Sequence, residues 1–284
     1  MSGIALRPMS VGEILDRTFQ IYRRSFATMF VVALLGAAPG LVYSLGSSEG
    51  ATSMAAVGLR VLIVPIMAFA GLLAWGALAE LYDRSVRGLP VTAGAGLARG
   101  LRTMPALLGA NLLAASVLIL VLAVVIPMLA AARGGNEGGN TGAGVIVALL
   151  LLALFAVGLV LWVAMSYLTA PAVVVEQKGP GAAVARSWRL GKGARLRIFG
   201  IAVLSLLIVI LPAFAIGVIV GMVTGLKGTM GPMAGTLLAV GQVVGSALTT
   251  PYTIGCMMLT YYDRRVRLEG LDVELASAEL APAP

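Results

Sequence analysis

The run GVIVALLLLALFAVGLVLWVAMSYL, residues 144–168, contains 25 residues and not one charged side chain. A helix needs about 20 apolar residues to cross the hydrocarbon core of a bilayer. This run lies within a longer uncharged stretch, 138–175. Five further uncharged stretches occupy 27–46, 61–79, 103–132, 198–226 and 228–262. The pattern predicts six transmembrane helices.

Composition supports a membrane protein. Only 11% of the 284 residues are charged, and the mean hydropathy is +1.00. A chain of this length would otherwise suggest one or two soluble domains, but soluble domains carry about twice this share of charge. We expect an all-α polytopic helical bundle in which residues 1–284 form a single integral membrane domain.

The basic residues predict the orientation of the chain. Of its 20 lysines and arginines, 17 lie in the segments 1–26, 80–104, 176–197 and 263–284. Cytoplasmic loops of membrane proteins are enriched in these residues. We therefore expect a multi-pass protein of the bacterial inner membrane with both termini in the cytoplasm. Its expected partners are anionic lipid headgroups on that side, and we expect no binding of nucleic acid.

Similar sequences recur where the predicted spans end. LAELYDRSVRGLPV, residues 78–91, follows the second span, and MLTYYDRRVRLEGLDV, residues 258–273, follows the sixth. A basic segment precedes the first, third and fifth spans. We interpret the chain as three parallel helical-hairpin repeats, at about 9–91, 92–179 and 180–270, each beginning with a basic amphipathic interfacial helix. Residues 271–284 would form an acidic cytoplasmic tail.

The first of these basic helices is predicted in detail. In MSVGEILDRTFQIYRRSF, residues 9–26, Ser10 and Glu13 have the spacing of a capping box. Apolar residues then recur every three or four positions, and such a helix should lie flat in the headgroup layer with its arginines reaching phosphates. A twin-arginine export signal is the alternative, but no convincing cleavage site follows. The expected lipid-binding arginines of all three basic segments are Arg17, Arg23, Arg24, Arg99, Arg102, Arg186 and Arg189.

Adjacent acidic and basic residues lie at the predicted cytoplasmic ends of the spans. Neighbouring Asp and Arg side chains point in different directions on a helix, so each can bond a different neighbour. We predict an interfacial charge network that joins the three repeats, with a gate or phosphate site at its centre as one possible role. The alternative is ordinary interfacial anchoring beside tyrosines. The residues of the expected network are Glu13, Asp16, Asp83, Arg84, Asp263 and Arg264.

The residues that usually perform catalysis are scarce. The chain has no histidine and one cysteine, and it contains no phosphate loop, HExxH or GxSxG motif. We therefore expect a non-enzymatic protein without catalytic residues, metal site or cofactor, and its role would be lipid- or envelope-related scaffolding. One alternative is a small-molecule or lipid transporter, which should have a polar cavity near Asn111 and Gln242. The other is a membrane subunit of a phosphodiesterase system, using carboxylates such as Glu13, Asp83 and Asp263.

Two glycine-rich helix faces favour close helix contacts. Gly217, Gly221 and Gly225 recur at four-residue steps, as do Gly241 and Gly245. These faces would pack within the monomer, join two copies in a homo-oligomer or bind another membrane protein.

Three segments resemble one bacterial family of integral membrane proteins. They are RPMSVGEILDRTFQIYRRSF at 7–26, VARSWRLGKG at 184–193 and TYYDRRVRLEGLDVELA at 260–276. The family is labelled the glycerophosphoryl diester phosphodiesterase membrane domain. The resemblance implies the membrane module alone, because the family's enzymes carry a separate catalytic barrel with histidines and metal-binding carboxylates. The phosphodiesterase activity is therefore not implied for this chain.

Overall fold

The computed structural model describes residues 7–47, 54–134, 141–225 and 232–271. These residues are almost entirely helical, and no strand occurs among them. The helices are α1 (Val11–Arg24), α2 (Phe26–Ala37), α3 (Pro39–Ser47), α4 (Met54–Val86), α5 (Ala93–Gly134), α6 (Thr141–Ser166), α7 (Thr169–Glu176), α8 (Pro180–Leu190), α9 (Arg195–Gly225) and α10 (Pro232–Glu269). The predicted acidic tail lies outside the described residues except for Leu271.

Five helical segments are long and apolar enough to cross a membrane. They are Phe26–Ser44, Val57–Val86, Ala93–Met128, Leu149–Glu176 and Gly235–Glu269. A sixth candidate is the pair Pro180–Leu190 and Arg195–Leu211, whose two helices meet at 105°. An all-helical chain with five or six such segments is compatible with a multi-pass membrane protein.

The long helices pack side by side in a closed ring. Contacts run from α2 to α4, α5, α6, α9 and α10, and α10 returns to α2. The shorter α7 and α8 pack against α5, while α1 packs against α10. The ring brings residues from the beginning, middle and end of the chain around one centre.

Burial divides the bundle into two zones along its length. On α10, the residues Leu237, Val240, Val244 and Leu248 are exposed, whereas most residues from Tyr252 to Tyr262 are buried. On α4, residues 61–69 are largely exposed and apolar, whereas residues 77–82 are buried except for the half-buried Glu80. We call the first zone the apolar band, since its surface suits lipid. We call the second zone, together with α1, α7 and α8, the covered end.

Helix α1 runs lengthwise along α10 in the opposite direction, which differs from the flat helix that the sequence predicts. Its start lies beside Asp263, Thr18 approaches Gly255, and the Tyr22 hydroxyl donates to the Leu248 carbonyl at 2.9 Å. A Cβ at position 255 would lie 2.4 Å from Cζ of Tyr82 and 2.6 Å from Cγ2 of Thr18. Glycine is therefore required where α1, α4 and α10 meet. The buried residues of α1 are Ile14, Thr18, Ile21 and Tyr22, whereas Phe19 is exposed.

The three basic segments adopt different structures. Residues 93–104 are the first part of the 42-residue α5, which continues through Pro105 and Pro127 and is about 63 Å long. The expected separate helix before the third span is therefore absent, because no break occurs there. By contrast, α8 is a separate helix that begins at Pro180, a residue suited to the first turn, and turns sharply into α9.

Candidate functional site

Charged side chains gather at the covered end in four groups. The last turns of α4, α7 and α10 carry the carboxylates, and α5, α8, α9 and α10 carry most of the arginines. Carboxylates and guanidinium groups are costly to bury unless they are paired and hydrogen-bonded. Their partners therefore show which helices are fastened together.

Asp263 is the centre of the first group. Its side chain is 1% exposed, and its Oδ1 accepts from the backbone N–H of Met9 at 2.8 Å. Arg197 Nη1 donates to Oδ2 at 2.9 Å, and Arg267 Nε donates to both oxygens at 3.0 and 3.1 Å. Both arginines also donate to the Met9 carbonyl. One carboxylate thus joins the start of the chain, α9 and α10.

Glu176 is the centre of the second group. Arg186 on α8 donates to both Glu176 oxygens, with Nε–Oε2 at 3.0 Å and Nη2–Oε1 at 2.7 Å. The Tyr261 hydroxyl on α10 donates to the same carboxylate. Arg186 also bonds Glu269, which Arg265 binds at 3.0 Å. This group, which we call the Glu176 cluster, fastens α7, α8 and α10 together.

Two smaller groups lie on α4. Asp83 is buried and accepts from the Tyr262 hydroxyl and from Arg87 Nε, the latter at 3.0 Å. Glu80 lies 3.5 Å from Arg84 Nη1 and 3.6 Å from Arg99 Nε. The exit of α4 is therefore connected to α10 and to the start of α5.

The residues of the predicted charge network fall into different places. Asp83 and Asp263 lie in the buried groups above, and Arg264 donates to the Leu190 carbonyl at 2.8 Å and the Lys192 carbonyl at 3.0 Å. Arg84 lies beside Glu80 and donates to the Pro90 carbonyl at 2.8 Å. These four residues bind neighbouring helices or loops rather than one shared centre.

Glu13 and Asp16 have local partners. Glu13 accepts from the Ser10 N–H at 2.7 Å and from Arg7, so the predicted capping box is present. The backbone bond to Ser10 is the main reason why the pKa of Glu13 lies below its ordinary value of 4.5. Asp16 is exposed and accepts from Gln20 at 2.7 Å.

The predicted lipid-binding arginines separate into two kinds. Arg23, Arg24, Arg102 and Arg189 are exposed, and Arg17 is half-buried. Arg99 instead donates to the Val174 carbonyl and lies beside Glu80, and Arg186 belongs to the Glu176 cluster. Because their charges face protein carboxylates, Arg99 and Arg186 are poorly placed to bind a headgroup.

A half-open cavity of about 490 Å³ lies between the helices of the ring. Its lining includes residues of α4, α5, α6, α7, α9 and α10, among them Trp75, Asn111, Trp162, Tyr167, Ser205 and Thr253. The cavity approaches the Glu176 cluster, because Met257 lines it and Tyr261 is one helical turn further along α10. Gln242, the other residue expected near such a cavity, is exposed and does not line it.

Several residues of the buried groups were not expected to have these roles. Glu176, Glu269, Arg197 and Arg267 have partners far away in sequence, so spacing alone gives no signal for them. The exceptions are the i, i+4 pairs Arg267–Asp263 and Arg265–Glu269, which helical spacing predicts. Tyr261 and Tyr262 are among the tyrosines that the sequence suggests only as interfacial anchors, yet each hydroxyl donates to a carboxylate.

Within the described part of the chain, no three metal-binding side chains of His, Cys, Asp or Glu come together. Comparisons with protein-family models, with curated proteins and with solved structures find no match to this chain.

Proposed function

We propose that this chain is a non-enzymatic inner-membrane protein of bacteria that binds anionic lipid headgroups on the cytoplasmic side. It would act in lipid- or envelope-related scaffolding. The observation that supports this proposal is the position of the exposed arginines. Arg23, Arg24 and Arg102 lie near the boundary between the apolar band and the covered end, and Arg189 lies on α8 in the covered end. Phosphate groups of a bilayer lie at the same boundary.

The boundary is clearest beside α1. Tyr22 binds the Leu248 carbonyl where α10 changes from exposed apolar to buried residues, and Arg23 and Arg24 follow directly in the chain. Exposed Leu101 precedes Arg102, and Leu108 lies further along the same helix. Long arginine side chains at such positions cover apolar surface while their guanidinium groups reach phosphate.

The junction of α8 and α9 has the same character. Trp188 is exposed, and the guanidinium of Arg195 lies 3.9 Å from the centre of its ring. Tryptophan is enriched at membrane–water interfaces, where one side of the ring is apolar and the other is wet. Since α8 and α9 meet at 105°, α8 would lie in the plane of the headgroups while α9 crosses the membrane.

Replacement of the four exposed arginines tests this proposal. In a variant carrying Arg23→Gln, Arg24→Gln, Arg102→Gln and Arg189→Gln, we expect at least about a tenfold loss of phosphatidylglycerol binding. Each basic residue near an anionic surface contributes about 1 kcal/mol. Native mass spectrometry of the purified protein with phosphatidylglycerol or phosphatidylcholine measures the retained lipid.

The matched control carries lysine at the same four positions. Because lysine keeps the charge, this variant should retain phosphatidylglycerol nearly as well as the wild type. Equal retention by the glutamine variant and the wild type would contradict the proposal.

The finer topology belongs to the same proposal. Six crossings arranged as three parallel hairpins would place both termini in the cytoplasm, as the distribution of basic residues predicts. Membership of the glycerophosphoryl diester phosphodiesterase membrane domain family is supported only by the three segments quoted above. The proposal also includes a homo-oligomer that packs through α10. A Cβ at Gly241 or Gly245 would meet nothing within 4 Å inside the monomer, so this glycine face is open to a second copy.

A transporter is the second candidate, and the half-open cavity favours it. Its walls come from all three proposed repeats, and Asn111 lines it as the transporter hypothesis requires. A transport role also needs a path that opens to each side in turn. Uptake or release of a labelled solute by proteoliposomes, abolished when the cavity is filled, would support this candidate over scaffolding.

A further inference from the structure

We propose that the central cavity binds an uncharged amphiphile that carries a free hydroxyl group. This site is separate from the exposed arginines, so it goes beyond the proposed binding of anionic headgroups. The inference rests on the size of the cavity and on the hydrogen-bonding groups that remain available there. It also rests on the described lining residues, of which only a tyrosine is ionisable.

The cavity has the dimensions of a ligand site. Its volume of about 490 Å³ lies within the range of about 300–1,000 Å³ that is usual for small-molecule pockets. Most of its surface is apolar, with walls formed by side chains such as Leu107, Leu118, Leu206, Ile254 and Met257. A hydrocarbon chain therefore suits the greater part of the space.

The lining excludes charged ligands. Among the described residues, no Asp, Glu, Lys or Arg lines the cavity. A cation would have no carboxylate to balance it, and an anion would have no basic partner. Transfer of an unpaired charge into such surroundings is strongly unfavourable. The occupant is therefore uncharged.

The hydrogen-bonding groups of the lining favour a ligand that donates a hydrogen bond. The hydroxyls of Ser166, Ser205 and Thr253 donate to carbonyls of their own helices at 2.8 to 2.9 Å. Asn111 Nδ2 donates to the Leu107 carbonyl at 2.8 Å, and Trp162 Nε1 donates to the Ala114 carbonyl at 2.7 Å. The oxygens of Asn111, Ser166, Ser205 and Thr253 keep lone pairs that can accept, and the Asn111 amide also keeps one N–H. A ligand hydroxyl supplies a donor for these oxygens.

Tyr167 lines the cavity, but its hydroxyl has almost no accessible surface and is closed to a ligand there. This hydroxyl is buried beside Ser205, and it makes no hydrogen bond of normal geometry within the described residues. The ligand hydroxyl therefore donates to the partly buried Asn111 Oδ1, which lines the cavity.

Photolabelling of the full-length protein tests the proposal directly. The probe is a long-chain alcohol bearing a diazirine and an alkyne, added to protein in phosphatidylcholine vesicles. Two matched probes are its methyl ether, which lacks the donor, and the corresponding fatty acid, which is charged. We expect the alcohol to label cavity-lining peptides about fivefold more than either of the others, the effect of about one hydrogen bond.

Variants locate the site. Ala202→Leu fills the cavity and should reduce labelling of the lining peptides severalfold, whereas Ala123→Leu on the exposed face of α5 should not. Asn111→Leu keeps the volume but removes the acceptor, so it should abolish the preference for the alcohol over the ether. If Ala202→Leu does not fold, Asn111→Leu tests the proposal by itself.

Two results would overturn the proposal. One is equal labelling by the alcohol and the ether in the wild type. The other is labelling of the lining peptides that Ala202→Leu and Asn111→Leu leave unchanged. The variant with four glutamines in place of the exposed arginines should label as the wild type does, which separates failure of this proposal from failure of anionic-lipid binding.

Discussion

At the scale of single residues, Asp263 joins parts of the chain that are far apart in sequence. Its partners include Met9, which lies 254 residues away, and Arg197, which lies 66 residues away. The sequence predicts that Asp263 bonds a neighbouring helix, because Asp and Arg at adjacent positions point apart. The identity of those partners could not be predicted, since it depends on how α1 and α9 pack against α10.

Asp263→Asn should destabilise the protein by about 3 kcal/mol, because the substitution removes a buried counter-charge from Arg197, whose side chain is 26% exposed, and from the more exposed Arg267. The measurement is thermal unfolding of the purified protein in detergent. The matched control is Asp16→Asn, which changes an exposed residue bonded only locally and should cost no more than about 0.5 kcal/mol. Equal melting temperatures for the two variants would show that the buried group contributes nothing.

At the scale of helices, the start of α1 is the element that the sequence predicts best. Ser10 and Glu13 form the capping box that their spacing indicates, because both partners lie within one turn. The orientation of α1 was predicted incorrectly. Its apolar stripe indicates only that one side of the helix is covered. In the structure α10 packs against that side.

The capping box should make the first turn of α1 sensitive to acid. The pKa of Glu13 is lowered in the folded protein, so its stabilising contribution is fully present above about pH 4.5 and is lost as the pH falls through the lowered pKa. Hydrogen–deuterium exchange of α1 peptides, corrected for the intrinsic effect of pH, should show protection decreasing over that range. Glu13→Gln should abolish this acid-dependent step. If Glu13→Gln lost protection to the same extent over this pH range, the loss would come from the titration of another group.

The other basic segments show why helix boundaries are hard to predict. Residues 93–104 and 180–190 are both basic and precede apolar stretches, yet the first continues into α5 and the second bends by 105° into α9. The bend has a local cause, because Lys192 and Gly193 lie between the helices and Gly193 has a positive φ of 78°. Its direction depends on Arg264, which holds the Leu190 and Lys192 carbonyls from a distant helix.

At the scale of the whole molecule, composition predicts the class of the fold but does not predict how its interior is packed. The uncharged stretches suffice to predict long apolar helices, since each is long enough to span a bilayer. The cavity could be predicted only in part. Asn111 and Gln242 are both polar residues within apolar stretches, yet the packing of the ring turns Asn111 inward and Gln242 outward.

The number of crossings can be decided by labelling introduced cysteines in intact cells. In a Cys256→Ser background, which removes the buried native thiol, single cysteines replace Thr141, Lys192 and Leu268. If α9 crosses the membrane, a membrane-impermeant maleimide should label Thr141→Cys in intact cells. The same reagent should reach Lys192→Cys and Leu268→Cys only after the cells are permeabilised.

Leu268 is the decisive position, because it is exposed near the end of α10 and follows α9, the crossing to be tested. With six crossings, Lys192 and Leu268 lie on the same side; with five, lacking α9, they lie on opposite sides. The Asp263 group links residues near both ends of the chain to Arg197 at the start of α9, which requires those three places to share one side. Labelling of Leu268→Cys but not Lys192→Cys in intact cells would therefore contradict both the six-crossing topology and the packing of the covered end.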